Sequence, residues 1–480
     1  MSNCSSWKIA QHSIKIEDNG QAQTIYICTV FKATTMKHIC TLIICCTFLP
    51  VCHGQEMTLK ECIKTGIANN LSLANARIGT NKSHTAVSQN RARLLPVVNG
   101  AFQFTDYLKS PINVTTGTLL GSEFPETPTW QTIKSTKYNA NVGIQLNMPL
   151  YDQTIFAAID VARTAEKINT LSYEKAVDDI TIQISKMYYL AQASLEQEHL
   201  TNENITRMEE LCNITEALYQ QGVVLEVDLN RVRINLKNLK TMHDQNHTLH
   251  CQQLNLLRFL MNMTPETPLE VTRMDENMGK PLASGVDENL PELQMAERQK
   301  TLAEQRIKAI RAGYLPTISF TGYAGALGYQ DKFKHFFSTS AATDNWFGNC
   351  HIGFSVKIPL FDANSKKLQI KQYKYDAQQA ANNAELVRKQ MNESFANATL
   401  QMNHNVEVFR TQSESRKQAE DVYNITEEQY KEGVASMTAL LQDEMQLRTA
   451  QTACVQAICQ CRLAQLDLLK ISGNLSKLTR

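Results

Sequence analysis

Residues that interrupt helices are scarce in this sequence. Its 480 residues include only 12 prolines and 19 glycines, which is few for an all-β protein or a disordered one. Charge of one sign is also missing: the net charge is +1, and charged residues make up 20% of the chain without a long run of either sign. That balance gives no electrostatic footprint for nucleic acid. Ala, Gln, Asn, Glu and Lys are plentiful instead, and they suit long helices with a large solvated surface.

Residue patterns typical of catalysis are missing too. The chain has no HExxH, GxSxG or P-loop motif, and its 11 histidines are dispersed. Six of the 13 cysteines precede Gln55, and the other seven are scattered without disulfide or metal spacing. We therefore predict that the protein is not an enzyme and that it holds no cofactor or metal. The seven cysteines are interpreted as small, partly buried positions on helices.

The only strongly apolar run covers residues 39–51. About a dozen residues are too few for a membrane-spanning helix, which needs about 20. The run therefore gives residues 1–54 the layout of an N-terminal extension followed by a secretory signal, with cleavage near Gly54. Met36 is then the expected true start. The segment that ends at Cys52 loosely resembles a lipoprotein box, so lipidation of Cys52 stays an alternative.

The rest of the chain contains two copies of one unit, which we place at residues 55–270 and 286–480 with a linker at 271–285. Five blocks recur in one order, and such repetition decides the fold before any single element does. The paired blocks are Asn69–Ala76 with Asn289–Ala296, Ala92–Val98 with Ala312–Ile318, Gly143–Asp152 with Gly353–Asp362, Tyr219–Val223 with Tyr430–Val434, and Leu254–Arg258 with Leu466–Lys470.

Each copy has one very long segment without Pro or Gly, at residues 153–221 and 363–432. A continuous helix of that length spans ~100 Å. Such helices belong to rods and coiled coils rather than to ordinary globules. A second helix is expected after Gly222 and after Gly433. Each glycine therefore marks the tip of a helical hairpin, where a left-handed turn is easiest for glycine.

Each copy also has two predicted strands, at about 97–106 and 138–148 and at about 317–324 and 349–358. Apolar and polar residues alternate in them, over about the length that a tilted strand needs to cross an outer membrane. Even-numbered residues from Ala140 to Met148 are then expected to face lipid and the odd-numbered ones a lumen. The loops 105–136 and 323–348 are expected outside the cell. A soluble β-sandwich alternates equally well and is the alternative, although it has no use for the long helices.

Four strands per chain are too few to close a barrel, because the smallest membrane barrels have ~8 strands. An open edge in lipid leaves backbone groups unsatisfied, at several kcal/mol each. If the strands cross a membrane, the barrel is therefore shared between chains. Two chains give eight strands and three give twelve, and strand arithmetic does not choose between them.

From about Met57 to Leu478 the sequence resembles the TolC or outer-membrane efflux protein family. Each motif that carries the resemblance is short, but the motifs occur twice and in the same order. They are the Leu-Pro strand starts at Leu95-Pro96 and Leu315-Pro316, the Pro-Leu-aromatic-Asp strand ends from Pro149 to Asp152 and from Pro359 to Asp362, and the Tyr-x-x-Gly-Val tips around Gly222 and Gly433.

The resemblance implies an α+β membrane protein. Four strands per chain would enter a shared twelve-stranded barrel of a homotrimer in the outer membrane, continued by a long periplasmic α-helical barrel. It also implies an exit duct of a tripartite efflux pump or type I secretion system. A periplasmic adaptor protein would couple this duct to an inner-membrane pump of the RND, ABC or MFS type. The alternative is a periplasmic or surface coiled-coil protein without a transport role.

The family also suggests where the functional residues lie. Asp228, six residues after Gly222, occupies a place where the family often has an acidic residue in the constricted pore. A solvated residue at the start of a helix, favoured by the helix dipole, is the alternative interpretation of Asp228. The aligned residue of the second copy is Ala439, and Asp443 and Glu444 come only later. We therefore assign no gate residue to the second copy. Simple hairpin capping together with a core tyrosine is the alternative interpretation of the tips. The residues predicted to dock the adaptor are Tyr219, Gly222, Val223, Tyr430, Gly433 and Val434.

Overall fold

A computed structural model describes residues 55–116, 130–275, 285–337 and 346–478. The predicted signal segment, with Met36, Cys52 and Gly54, lies outside the described residues. The first copy contains β1 (Gln55–Met57), α1 (Leu59–Asn69), α2 (Leu71–Ala92), β2 (Val97–Asp106), β3 (Ile112–Thr116), β4 (Trp130–Lys134), β5 (Tyr138–Tyr151), α3 (Gln153–Gln220) and α4 (Glu226–Leu260). Then follow β6 (Leu269–Val271), α5 (Pro291–Ala312), β7 (Thr317–Gln330), β8 (Trp346–Lys357), α6 (Ser365–Lys431) and α7 (Met437–Ile471).

Four of the strands form one antiparallel sheet in the order β2, β5, β7, β8, so the two copies meet at its centre. Val142 of β5 lies opposite Phe102 of β2 and Ala326 of β7. Ala326 in turn lies opposite Gly348 of β8. Because side chains alternate with a period of two, residues of the same parity share one face across all four strands. The register therefore preserves the alternation that the sequence shows.

Two features of this half of the molecule differ from the expectation. The strand expected at 317–324 continues to Gln330, and the strand expected at 349–358 runs from Trp346 to Lys357. The added part of β7 contains Gly325 and Gly328, and residues without side chains hide the alternation on which the prediction depends. The loop expected at 105–136 contains an additional hairpin of β3 and β4.

The long helices are confirmed. α3 has 68 residues and α6 has 67, and each is followed by a return helix of 35 residues. Without internal proline, every N–H beyond the first turn can donate within its helix. Each hairpin is therefore a rod of ~100 Å. In the described ranges, no helix is both long enough and apolar enough to cross a membrane.

The two largest apolar clusters among the described residues lie in the helical part. The cluster farther from the hairpin ends surrounds Tyr188 on α3, whose hydroxyl donates to the carbonyl oxygen of Met57 at 3.0 Å and lies 2.7 Å from the hydroxyl of Thr272. The second cluster joins both hairpins near their ends, and we call it the tip cluster. Its buried members are Met208, Leu211, Cys212, Leu229, Val232, Leu239, Tyr423, Met437, Leu440 and Leu447.

None of the seven cysteines after residue 54 forms a disulfide in the structure. Six of these seven lie on helices, but Cys350 lies on β8 and is exposed, so the helix interpretation is wrong for this residue. Within the described ranges, no group of His, Cys, Asp and Glu side chains is arranged to hold a metal ion.

Candidate functional site

Both hairpins end in the same backbone turn. The φ angle is 74° at Gly222 and 76° at Gly433, which is the left-handed region that favours glycine. The N–H of Val223 donates to the carbonyl five residues earlier at 2.9 Å, and the N–H of Val434 does the same at 2.8 Å. This pattern is the Schellman motif that closes helix C-termini. The structure therefore confirms that each hairpin turns at a left-handed glycine, as predicted.

The side chains at the two tips are not equivalent. Val223 and Val434 are 67% and 75% exposed, and Tyr219 is 40% exposed. Tyr430 instead packs against the tip cluster, and its buried hydroxyl makes no hydrogen bond within the described chain. The geometry of Tyr430 thus matches the core tyrosine of the simpler interpretation. The other three side chains are placed where a partner could reach them.

Asp228 lies in the first turn of α4, where its carboxylate complements the helix dipole. Its Oδ1 is 3.1 Å from Nη1 of Arg231, and its side chain is 24% exposed. The same Nη1 donates to the hydroxyl oxygen of Thr438 on α7 at 3.1 Å. The predicted gate residue therefore belongs to a polar contact that joins the two hairpins directly behind their tips.

The second copy has a helix cap at the corresponding place. The N–H of Ala439 donates to Oγ of Ser436 at 3.2 Å, and Ser436 caps α7. Farther along α7, Asp443 accepts a hydrogen bond from the hydroxyl of Thr426 at 2.7 Å. Glu444 is only 7% exposed, a burial that the sequence analysis missed. The signal was available in the leucines 440, 441 and 447, which surround position 444 at helical spacing.

The strand-end motif of the first copy leads β5 directly into α3. The pairing of β5 with β7 shifts register between Pro149 and Tyr151. Asp152 then caps α3, since its Oδ1 accepts a hydrogen bond from the N–H of Thr154 at 2.9 Å. Here the motif residues make the strand-to-helix connection.

The strand-end motif of the second copy also connects a strand to a long helix, but here the motif residues lie in a loop after the strand. Pro359 and Asp362 lie beyond the end of β8, and Ala363 and Asn364 adopt left-handed φ angles of 53° and 61°. Asp362 accepts a hydrogen bond from the N–H of Lys366 at 3.0 Å. This hydrogen bond lowers the pKa of the Asp362 carboxyl group.

The sheet has one apolar and one polar face. On the apolar face, Phe102, Ile352 and Phe354 are each more than 70% exposed in the single chain. β2 and β8 each pair with one neighbour in the described sheet, so each has an open edge. By register the apolar face carries Val98, Phe102, Phe104, Val142, Ile144, Leu146, Met148, Ile318, Phe320, Ile352, Phe354 and Val356, and the polar face carries Asn99, Gln103, Asn139, Asn141, Gln145, Asn147, Ser319, Thr321, Asn349 and Ser355.

The two helical hairpins and the two-faced sheet occur together in a known protein family. The family model described as outer membrane efflux protein matches residues 63–262 and again residues 282–474. The chain belongs to this family. The two matched segments each contain one long helical hairpin and two strands of the sheet.

Relatives of known sequence and structure agree with the family. The toluene efflux pump outer membrane protein TtgC of Pseudomonas putida is 24% identical over 430 residues, which cover 86% of this chain and 81% of TtgC. The outer membrane protein TolC of Escherichia coli is 19% identical over 388 residues, 79% of this chain and 78% of TolC. Among solved structures, the OprN outer-membrane channel superposes with a TM-score of 0.69 at 17% identity, covering 87% of this chain and 90% of OprN. The open-state MtrE channel of Neisseria gonorrhoeae gives 0.65 at 18% identity, with 88% and 90% covered.

Membership confirms the resemblance that the doubled motifs indicated. The protein is an outer-membrane exit duct of the tripartite efflux type and not an enzyme. Channels of this family are homotrimers that pair with periplasmic adaptors and inner-membrane pumps. The alternative of a coiled-coil protein without a transport role is not favoured. The repeat boundaries at 55–270, 271–285 and 286–480 and the roles of the individual site residues stay predictions.

Proposed function

We propose that this duct closes its wall with the sheets of three chains and meets its periplasmic adaptor through both hairpin tips. The observation that carries the proposal is the pair of matching Schellman turns at Gly222 and Gly433, at the far end of two unbroken rods from the sheet. A surface at the end of the rod is the part of the chain that extends farthest toward a pump in the inner membrane.

The sheet supports the first half of the proposal. One face presents an uninterrupted apolar band with highly exposed side chains such as Phe102 and Ile352. The other face is rich in amides and hydroxyls, as a water-filled lumen requires. The open edges of β2 and β8 must be paired if the sheet lies in lipid. Pairing β2 of one chain with β8 of the next closes the wall, and a trimer gives twelve strands.

The tips support the second half. Val223 and Val434 are apolar and strongly exposed, and Leu225 beside the first tip is strongly exposed as well. Exposed apolar side chains on such a surface are typical of interaction sites. Tyr219 lies one turn away on the first hairpin and offers a ring with a polar hydroxyl, a side chain that is frequent at interfaces. We assign Gly222 and Gly433 the role of holding these side chains at the end of the rod.

Asp228 is proposed as a carboxylate of the periplasmic constriction. Three copies in a trimer place three carboxylates at one level behind the tips. Arg231 holds each carboxylate and links it to Thr438 of the second hairpin. The names of the relatives TtgC and ArpC, a toluene and an antibiotic efflux pump protein, favour small molecules over secreted proteins as the cargo.

The docking surface is tested with Val223→Asp and Val434→Asp, separately and together. We expect drug susceptibility to rise to that of a deletion strain in the double variant, while trimer abundance in the outer membrane stays normal. Asn213→Asp and Asn424→Asp are the matched controls, because both residues are exposed on the same hairpins but two or more turns above the tips. Normal resistance of the double variant would show that the tips are not the coupling surface.

A second pair of variants separates the role of the glycines from that of the valines. Gly222→Val and Gly433→Val force a β-branched residue into a left-handed turn, at ~1–2 kcal/mol. We expect the trimer to persist, because the long helices remain packed, and resistance to fall. Loss of the trimer on a gel would make the glycines structural and would remove them from the docking site.

A further inference from the structure

The two hairpins of one chain meet along a seam between α3 and α7. Gln197 donates to the hydroxyl oxygen of Thr452 at 3.0 Å, and Asn204 donates to the side-chain oxygen of Gln451 at 3.1 Å. Beyond these pairs the seam continues into the apolar tip cluster. We take a duct that opens at its tips to do so by moving one hairpin of a chain relative to the other. The seam near the tips is therefore the part of a chain that differs between a closed and an open state.

Glu444 is an ionisable residue buried in this seam. It lies on α7 between the buried Leu440 and Leu447 and is 7% exposed. Its Oε1 makes no hydrogen bond within the described residues. The guanidinium of Arg448, one turn along the same helix, is 4.0 Å away from that oxygen, which is too far for a hydrogen bond. A carboxylate buried in this way is poorly compensated if it is ionised.

The other groups around Glu444 leave it incompletely compensated. From α3, Arg207 faces it, but Arg207 also donates to Oδ1 of Asn204 and lies 5.9 Å from the centre of the Tyr423 ring. From α6 come Tyr423 itself and Glu427, and Glu210 lies near the same ring on α3. The side chains that α4 contributes to the tip cluster are the apolar residues Leu229, Val232 and Leu239.

We propose that Glu444 is a proton-operated latch of the periplasmic end, protonated while the seam is closed and ionised when the seam opens to water. On opening, the carboxyl group releases its proton to water. On closing, it takes one proton up again and enters the apolar cluster as a neutral group. The proposal rests on the proposed function, since it requires a duct that opens at the tips.

The direction of the pH dependence follows from burial. Burial raises the pKa of Glu444 above the ordinary value of 4.5, and Arg448 and Arg207 offset this only in part. In the hydrated, open seam the pKa returns toward the ordinary value. The contribution of Glu444 to the closed state is therefore complete below pH 4.5 and is lost as the pH rises through the raised pKa. Acid favours the closed duct, and neutral pH favours opening.

The test is single-channel recording of the purified trimer in planar lipid bilayers, between about pH 5 and about pH 8. For the unmodified protein we expect the ratio of open to closed time to rise with pH across this range, because the carboxyl group that is buried as a neutral acid in the closed seam loses its proton to water in the open one. Glu444→Gln and Glu444→Leu are neutral at every pH, so both should keep a constant ratio. Glu420→Gln, an exposed carboxylate on α6 near the same level, is the matched control and should behave like the unmodified protein.

Two outcomes overturn the latch. One is an open-to-closed ratio of the unmodified protein that does not change with pH, and the other is a full pH response that persists in both neutral variants. A preparation of intact trimers that conducts no ions under any condition would instead contradict the proposed function. Two variants are used so that poor assembly of one of them, visible as missing trimer on a gel, still leaves the other to decide.

Discussion

The two long helices α3 and α6 arise from one duplicated unit and have nearly the same length, yet the chain surrounds them differently. α3 buries nineteen of its 68 residues and α6 buries four of its 67. α3 packs mainly against α1, α2, α4, α5 and α7, whereas α6 packs mainly against α5 and α7. One copy thus supplies the centre of the single chain, and the other supplies one of its outer surfaces.

The single chain leaves surfaces of the second copy that only other molecules can cover. Exposed apolar side chains remain on α6, and the apolar face of the sheet is equally uncovered. Large exposed apolar surfaces mark interaction sites. In the trimer proposed above, neighbouring chains and lipid are the partners that would cover these faces. The exposed apolar residues of α6 include Leu368, Leu386, Leu400, Val422 and Ile425.

The largest expected effect compares a tyrosine of α3 with one of α6. Tyr188→Ala removes a ring that is 2% exposed, together with hydrogen bonds to Met57 and Thr272. We expect the free energy of unfolding to fall by ~3–5 kcal/mol. Tyr375→Ala on α6 removes a ring that is 54% exposed and should change it by about 0.5 kcal/mol or less. Denaturant unfolding of both purified variants measures the difference, and equal losses would show that a partner covers α6 as tightly as the chain covers α3.

The next largest effect is expected from a charge placed on one face or the other of the sheet. Ile352→Lys places a charge on the apolar face of β8, whereas His351→Lys places the same charge on the other face of the same strand. A lysine in the middle of a bilayer destabilises a membrane strand by ~2–4 kcal/mol. We expect Ile352→Lys to lower the amount of trimer in the outer-membrane fraction strongly and His351→Lys to leave it nearly unchanged. The reverse order would mean that the two faces have been assigned the wrong way round.

A smaller effect is expected at the hairpin tips, where the two copies have the same backbone turn. At Gly222 and Gly433 a Cβ atom would meet nothing within 4 Å. A substitution there is therefore disfavoured only by the left-handed φ angle of the backbone. Gly→Ala at either position should lower the free energy of unfolding by ~1–2 kcal/mol, by the same amount in both copies. Gly79→Ala on α2, which also has free space but lies inside a regular helix, should raise it by ~0.4–1 kcal/mol. Unequal effects at the two tips would show that a partner touches one of them.

The smallest effect concerns an ion pair that links α3 to α7. Asp179 accepts hydrogen bonds from Lys470 at 2.7 Å and from Lys175 at 2.9 Å, and its side chain is about one-third exposed. Burial raises the pKa of Asp179, but the two lysines outweigh it and lower the pKa overall. The stabilisation is therefore present above pH 3.8 and is lost as the pH falls through the lowered pKa.

Asp179→Asn accordingly lowers the free energy of unfolding by about 1 kcal/mol or less at neutral pH, because the pair is partly exposed. The difference between variant and unmodified protein should vanish in strong acid. Unfolding curves at both pH values measure it. A difference that persists in strong acid would mean that Asp179 stabilises the fold through its hydrogen-bond geometry rather than through its charge.

The elements that depend on local chemistry were predictable from the order of the residues alone. Runs without Pro or Gly give unbroken helices, Gly222 and Gly433 give left-handed tips, and alternation gives the central parts of the strands, because each of these follows from the preferences of neighbouring residues. The doubled order of the motifs also sufficed to indicate the family. Where β7 is rich in glycine, the alternation is not visible, and the end of the strand could not be placed.

Which of two residues with the same local character is buried depends on tertiary packing. Nothing local distinguishes Tyr219 from Tyr430, but one is exposed and the hydroxyl of the other is enclosed by the tip cluster. Asp228 and Glu444 are both carboxylates near the start of a return helix, and one is ion-paired near the surface while the other is buried. The physical reason is that burial depends on which helices pack together, and the same repeated unit meets different neighbours in its two copies.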